Sequence, residues 1–81
     1  MDTEMFLNQM EQDFEELAKE HEGTADNETI WAEGSSYPHI EQMHRENAEQ
    51  HRHIARMYRR MKKNCLAFIE TYEDDSNYLE D

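Results

Sequence analysis

A single cysteine, a single proline and two glycines are spread over 81 residues, and each scarcity removes a class of structure. One cysteine excludes an internal disulfide framework and fits a reducing compartment. So few turn-forming residues disfavour a many-stranded β protein. No apolar run approaches the roughly 20 residues that cross a bilayer as a helix. The start, Met1-Asp2-Thr3-Glu4, lacks the basic residues and apolar run of a secretory signal. The expectation is a soluble, cytoplasmic protein without a membrane partner. Cations are scarce too: eight Lys and Arg stand against twenty Asp and Glu, a net charge of −12. Direct nucleic-acid binding is therefore not expected, whereas a protein with a basic surface is a suitable partner. There is no nucleophile elbow, phosphate-binding glycine loop or paired-cysteine site, so an enzyme is not expected.

What is present is helical patterning. From Ser36 to Tyr72 a stripe recurs at alternating three- and four-residue steps: Asn47, His51, Ile54, Tyr58, Met61, Cys65, Phe68 and Tyr72. That is the seam spacing of a helix packed along its length against another. Leu7, Met10, Phe14 and Leu17 repeat the spacing near the start, with acids mostly outside the stripe. These patterns predict an all-α chain: helix 1 over about 3–21, ended near Gly23; a connector at 22–36 with a short helical turn at 27–33; and helix 2 over about 37–72, with Pro38 in its first turn. Residues 1–72 form one domain, and 73–81 an acidic flexible tail.

The expected fold is an antiparallel hairpin of one short and one long helix. Leu17 should lie near Met43, Phe14 near His44 to Asn47, and Leu7 near Ile54. Some 20 residues give about 30 Å and some 36 give about 54 Å, so the long helix overhangs the short one. The uncovered end, with Met57, Tyr58, Met61, Cys65, Leu66, Phe68, Ile69 and Tyr72, would be buried, together with Ile54, in a homodimer, a four-helix or coiled-coil-like bundle.

Charge is segregated. Residues 1–34 hold eleven acids and one lysine, residues 38–72 seven bases and four acids, and the last nine residues five acids and no base. Glu11, Asp13, Glu15 and Glu16, with Trp31 in the connector, are candidate contacts for a basic partner. Arg45, Arg52, Arg56, Arg59 and Lys63 form a stripe on helix 2, with Arg60 and Lys62 beside it. Salt bridges to helix 1 or across a dimer account for it more simply than an anion-binding ridge.

Four of the five histidines, His39, His44, His51 and His53, fall within one fifteen-residue window. His44, Asn47 and His51 put polar groups in the seam, where they can set register or oligomeric state. Glu41 lies three residues before His44, so both can reach one point. The tetrapeptide Glu41-Gln42-Met43-His44 resembles the ferritin-like families, which include short two-helix members that assemble into rings. The resemblance covers those four residues alone. It implies a carboxylate-bridged di-iron site with Glu41 and His44 as ligands, glutamates among Glu11, Glu15 and Glu16 facing them, and a second copy supplying the other set. His51 is the further candidate ligand, for iron or zinc; otherwise no cofactor is expected.

The expected role is a small acidic homodimeric protein-binding module: a regulator, adaptor or inhibitor. Its alternatives are a ferritin-like di-iron carboxylate protein built from two-helix subunits, with oxidase activity, and a nucleic-acid mimic that inhibits a basic nucleic-acid-binding protein.

Overall fold

Two helices account for nearly all of the described residues. The computed structural model describes residues 3–79, and the side chains of residues 3–71. Helix α1 runs Thr3–Glu33 and helix α2 runs Pro38–Leu79. They pack antiparallel as a helical hairpin, a rod of 68 × 17 × 12 Å. Among the described residues no helix is long and apolar enough to cross a membrane.

The first helix does not stop at Gly23. It continues through the stretch expected as a connector, and residues 27–33 are its last two turns rather than a separate element. Glycine in a helix interior costs about 1 kcal/mol relative to alanine, and here packing outweighs that cost. Ala18, Ala25 and Ala32, seven residues apart, are 0–1% exposed, as are Ala48 and Ala55 on α2. A seven-residue step returns to nearly the same face, so the alanines make one continuous column on each side of the contact. Small side chains let the two backbones approach closely along that column. The polar residues of the expected connector are absorbed locally: the Thr24 hydroxyl donates to Glu20 O at 3.1 Å and the Thr29 hydroxyl to Ala25 O at 3.0 Å.

The turn is residues 34–37. Gly34 N–H closes α1 on Ile30 O at 3.0 Å, and Ser35 N–H reaches Ala32 O at 3.2 Å. Ser35 Oγ accepts from Tyr37 N–H at 3.2 Å. The Tyr37 carbonyl receives the first α2 amides, from Ile40 and Glu41, at 3.1 and 2.9 Å. Tyr37 is thus the residue that caps α2, and Pro38 takes the first helical position, where a missing N–H costs nothing.

The longer α1 resets the register. Leu7 meets Cys65 rather than Ile54, eleven residues farther along α2, and Phe14 meets Tyr58 rather than the segment 44–47. Four residues past Cys65, Ile69 is level with Thr3, and both Cys65 and Ile69 are 7% exposed. The expected overhang therefore shrinks to the end of α2 beyond residue 69. Tyr58, Cys65 and Ile69, expected to be covered by a second chain, are covered by α1 of their own. Helix α2 also runs past residue 72, so 73–79 of the expected tail lie in it; residues 80–81, and the side chain of Tyr72, lie outside what the structure describes.

Candidate functional site

Four layers cross the seam at seven-residue steps: Leu7 with Cys65, Phe14 with Tyr58, His21 with His51, and Glu28 with His44. The two layers nearest the N-terminus of α1 are held by apolar contact, with Phe14 and Tyr58 stacked at 6.2 Å between ring centres. The Cys65 thiol donates to Leu7 O at 3.1 Å. Toward the turn the layers become polar. His21 and His51 bring their Nδ1 atoms to 2.9 Å and stack their rings at 5.2 Å, with Tyr58 stacked on His21 at 5.7 Å. A neutral imidazole has one N–H and one lone pair, so this contact needs one ring to donate and the other to accept. His44 Nδ1 donates to Glu28 Oε2 at 2.5 Å, with the side chains 20% and 13% exposed. Trp31 leans on His44 at 5.7 Å but is itself 57% exposed.

These partners decide what the candidate metal ligands do. His44 is engaged by Glu28, His51 by His21, and Glu41 by Arg45 at 2.9 Å. The three donors are turned to three different groups. Among the described residues no cluster of three His, Cys, Asp or Glu is placed to hold a metal ion. The register also puts Glu15 beside Lys62, more than five turns along α2 from Glu41, so the glutamates of the ferritin-like arrangement do not converge on Glu41 and His44. Of the three polar seam candidates, His44 and His51 lie between the helices, whereas Asn47 sits half-buried on one flank.

The two flanks of the hairpin differ in kind. Beside the alanine columns lie Glu15, Glu22 and Thr29 on α1, with Arg52, Arg59 and Lys62 on α2. Lys62 Nζ reaches Glu15 at 3.0 Å, Arg59 reaches Glu15 at 3.5 Å and also Glu22, and Arg52 donates to Thr29 Oγ1 at 2.8 Å. The hydrogen bond from Lys62, helped by the attraction of Lys62 and Arg59, holds the Glu15 carboxyl below its ordinary range against an opposing effect of burial. The hydrogen bond to Glu22 is the largest influence raising the Arg59 guanidinium above its ordinary value. A groove of about 190 Å³ on this flank is lined by Glu22, Asp26, Arg52, Ala55, Arg56 and Arg59. Its charges already answer one another, Arg52 lying 4.0 Å from Asp26 and Arg56 3.0 Å from Glu49.

The opposite flank is apolar and open. One step past the Leu7 column, away from the alanines, come Met10, Leu17, Thr24 and Trp31. The matching column on α2 is Ile40, Asn47, Ile54, Met61 and Phe68. Phe68 is 58% exposed and Phe6, at the same end, 52%. Met43 and Met57 extend the strip outward and are also exposed. The stripe read from the sequence of α2 thus points along the diagonal between α1 and this flank, so α1 covers only half of it. Among the described residues no large side chain is fully buried; the core is five alanines, Cys65 and Ile69.

The candidate partner contacts fare unequally. Glu15 is engaged by Lys62 and Arg59. Glu11 is half-buried, Asp13 accepts from Gln9 at 3.0 Å, and Glu16 is exposed. In the basic stripe Arg45, Arg52, Arg56 and Arg59 each meet a carboxylate of this chain. Arg60 and Lys63 are exposed and meet none among the described residues. His21 and Glu28 were not singled out as polar seam residues from the sequence. Their signal was there: they continue the seven-residue series of Leu7 and Phe14, and Ala18, Ala25 and Ala32 run in step beside them. Compared with known proteins, the chain matches no protein-family model, no curated protein and no solved structure.

Proposed function

We propose that this chain is a small acidic homodimeric protein-binding module, acting as a regulator, adaptor or inhibitor through protein–protein contacts. The observation that carries the reading is the unfinished core. A hairpin held by alanines, with its large apolar side chains half-covered along one flank, is half of a four-helix bundle. The dimer then leaves the outer face of α1 for another partner. Glu16 and Glu33 are exposed there and form no ion pair among the described residues. With a net charge of −12, that face suits a basic protein surface, and its field speeds the encounter at low salt.

The test is affinity capture from native cell extract with the wild-type chain and with the Glu16→Lys, Glu33→Lys double variant, over a salt series. The reading expects a basic protein retained by the wild type, released as salt rises, and lost with the variant. Equal retention by both chains, or none by either, overturns the acidic-face assignment.

A further inference from the structure

We propose that a second copy of this chain covers the apolar flank with both turns at the same end of the bundle, the two-fold axis running along the helices. This rests on the homodimer reading above and adds to it the surface and the orientation.

Area comes first. The strip runs from the level of Phe6 to that of Trp31, about 38 Å along the axis, across a rod 17 Å wide. That is roughly 650 Å² per copy and about 1,300 Å² for two, within the range of stable specific interfaces. The strip is too long to be a chance exposure of single residues.

Two symmetric arrangements cover such a strip. With the axis along the helices, α1 of each copy lies beside α2 of the other. With the axis across them, the turns lie at opposite ends and α1 faces α1. Charge separates the two. Helix α1 carries ten acids and one base, whereas α2 carries seven of each, so the second arrangement sets the strongly acidic helix against its own copy. The first brings Arg60, which meets no carboxylate of its own chain among the described residues, level with Asp13 of the other copy. Every neighbouring helix pair is antiparallel in either arrangement, so the helix dipoles do not choose between them.

Polarity along the strip gives the same answer independently. Thr24 on α1 and Asn47 on α2 are nearly level and form a polar break in an otherwise apolar strip. In the same-end arrangement they meet their own copies, polar on polar. In the opposite-end arrangement, with the axis at the middle of the strip, they fall between the levels of Met10 and Leu17. A single polar seam residue is a known means of fixing register at a modest cost in stability.

The test is a distance measurement on a single nitroxide at Ser36→Cys, in the turn, in a Cys65→Ala background, with helicity and mass checked on the same sample. Same-end packing expects a dimer with the two labels within about 30 Å, since neighbouring helices lie 8–10 Å apart. A dimer with labels about 50 Å apart, the separation that helix rise gives for turns at opposite ends, overturns the orientation and leaves the homodimer standing. A folded monomer, its strip left for a helix of another protein, or a larger oligomer overturns both. As a second arm, Arg60→Glu should weaken the dimer several-fold and Asp13→Arg in the same chain should restore it; no restoration counts against same-end packing.

Discussion

Replacing Gly23 by alanine tests the continuity of α1. Residue 23 is exposed and helical, has no positive φ, and a Cβ built there meets nothing within 4 Å. The substitution adds no clash and removes no contact. It acts through backbone entropy: glycine in a helix interior is about 0.8–1 kcal/mol less favourable than alanine, and part of that gain comes from restricting the unfolded chain. The expected effect is a stabilisation of about 0.5–1 kcal/mol per chain, or a rise of about 2–8 °C in melting midpoint for a domain of this size. Urea unfolding followed by helical circular dichroism reads it as a higher midpoint at unchanged slope. If instead Gly23 ended a short helix in the left-handed conformation, as its place in the sequence suggests, alanine would be strained there and destabilise by about 1 kcal/mol. A fall in stability would refute the continuous helix, and with it the register of every layer.

Three further outcomes follow from the packing. Ala25→Leu forces a large side chain into a fully buried column and should cost about 1–3 kcal/mol or prevent folding, read by the same unfolding curves; a neutral result would mean the helices are not in close contact there. Glu28→Ala strands His44 in a half-buried seam and should cost about 1–3 kcal/mol, while Glu28→Leu with His44→Leu should recover most of it, because apolar pairs can replace buried ionic ones; equal losses in both variants would refute the pairing. Glu15→Gln tests the flank by pH. A carboxyl whose folded pKa is depressed contributes stability above its unfolded pKa, and that contribution is lost as pH falls through the folded value. The wild type should therefore exceed Glu15→Gln in stability at neutral pH, and the difference should vanish at acid pH; a difference that persists in acid would mean the glutamate acts through something other than its charge. Arg59 has the opposite sign, its contribution being complete below its ordinary range and lost only in strong alkali.

Most of the hairpin was legible in the sequence because helical periodicity is a local signal. The stripe from Asn47 to Phe68, Pro38 in the first turn of α2 and the antiparallel order could all be read that way. The boundary of α1 was not, because Gly23, Thr24 and Asn27 carry local preferences for a turn that tertiary packing overrides. The deciding residues were the least conspicuous ones, Ala18, Ala25 and Ala32. Alanine carries little weight in an apolar stripe, yet it sets how closely two helices approach. From that boundary came the error in register, and from the register the error about the overhang. The polar half of the seam was half legible: His44 and His51 stood out by spacing, but their partners Glu28 and His21 lay in and beside the supposed connector. Glu41 drew attention through a four-residue pattern, and its partner proved to be Arg45, one turn away on the same helix. Neither flank could be told open or closed until the register placed Glu15 and Glu22 opposite Arg59.

On the proposed reading one hairpin is half a core. Thermal unfolding at protein concentrations spanning two orders of magnitude tests it most directly, together with sedimentation of the folded species. Folding coupled to association makes the melting midpoint rise with concentration, and the folded species should have twice the 9.8 kDa mass of the chain. A midpoint independent of concentration, with a folded species of 9.8 kDa, would contradict the account.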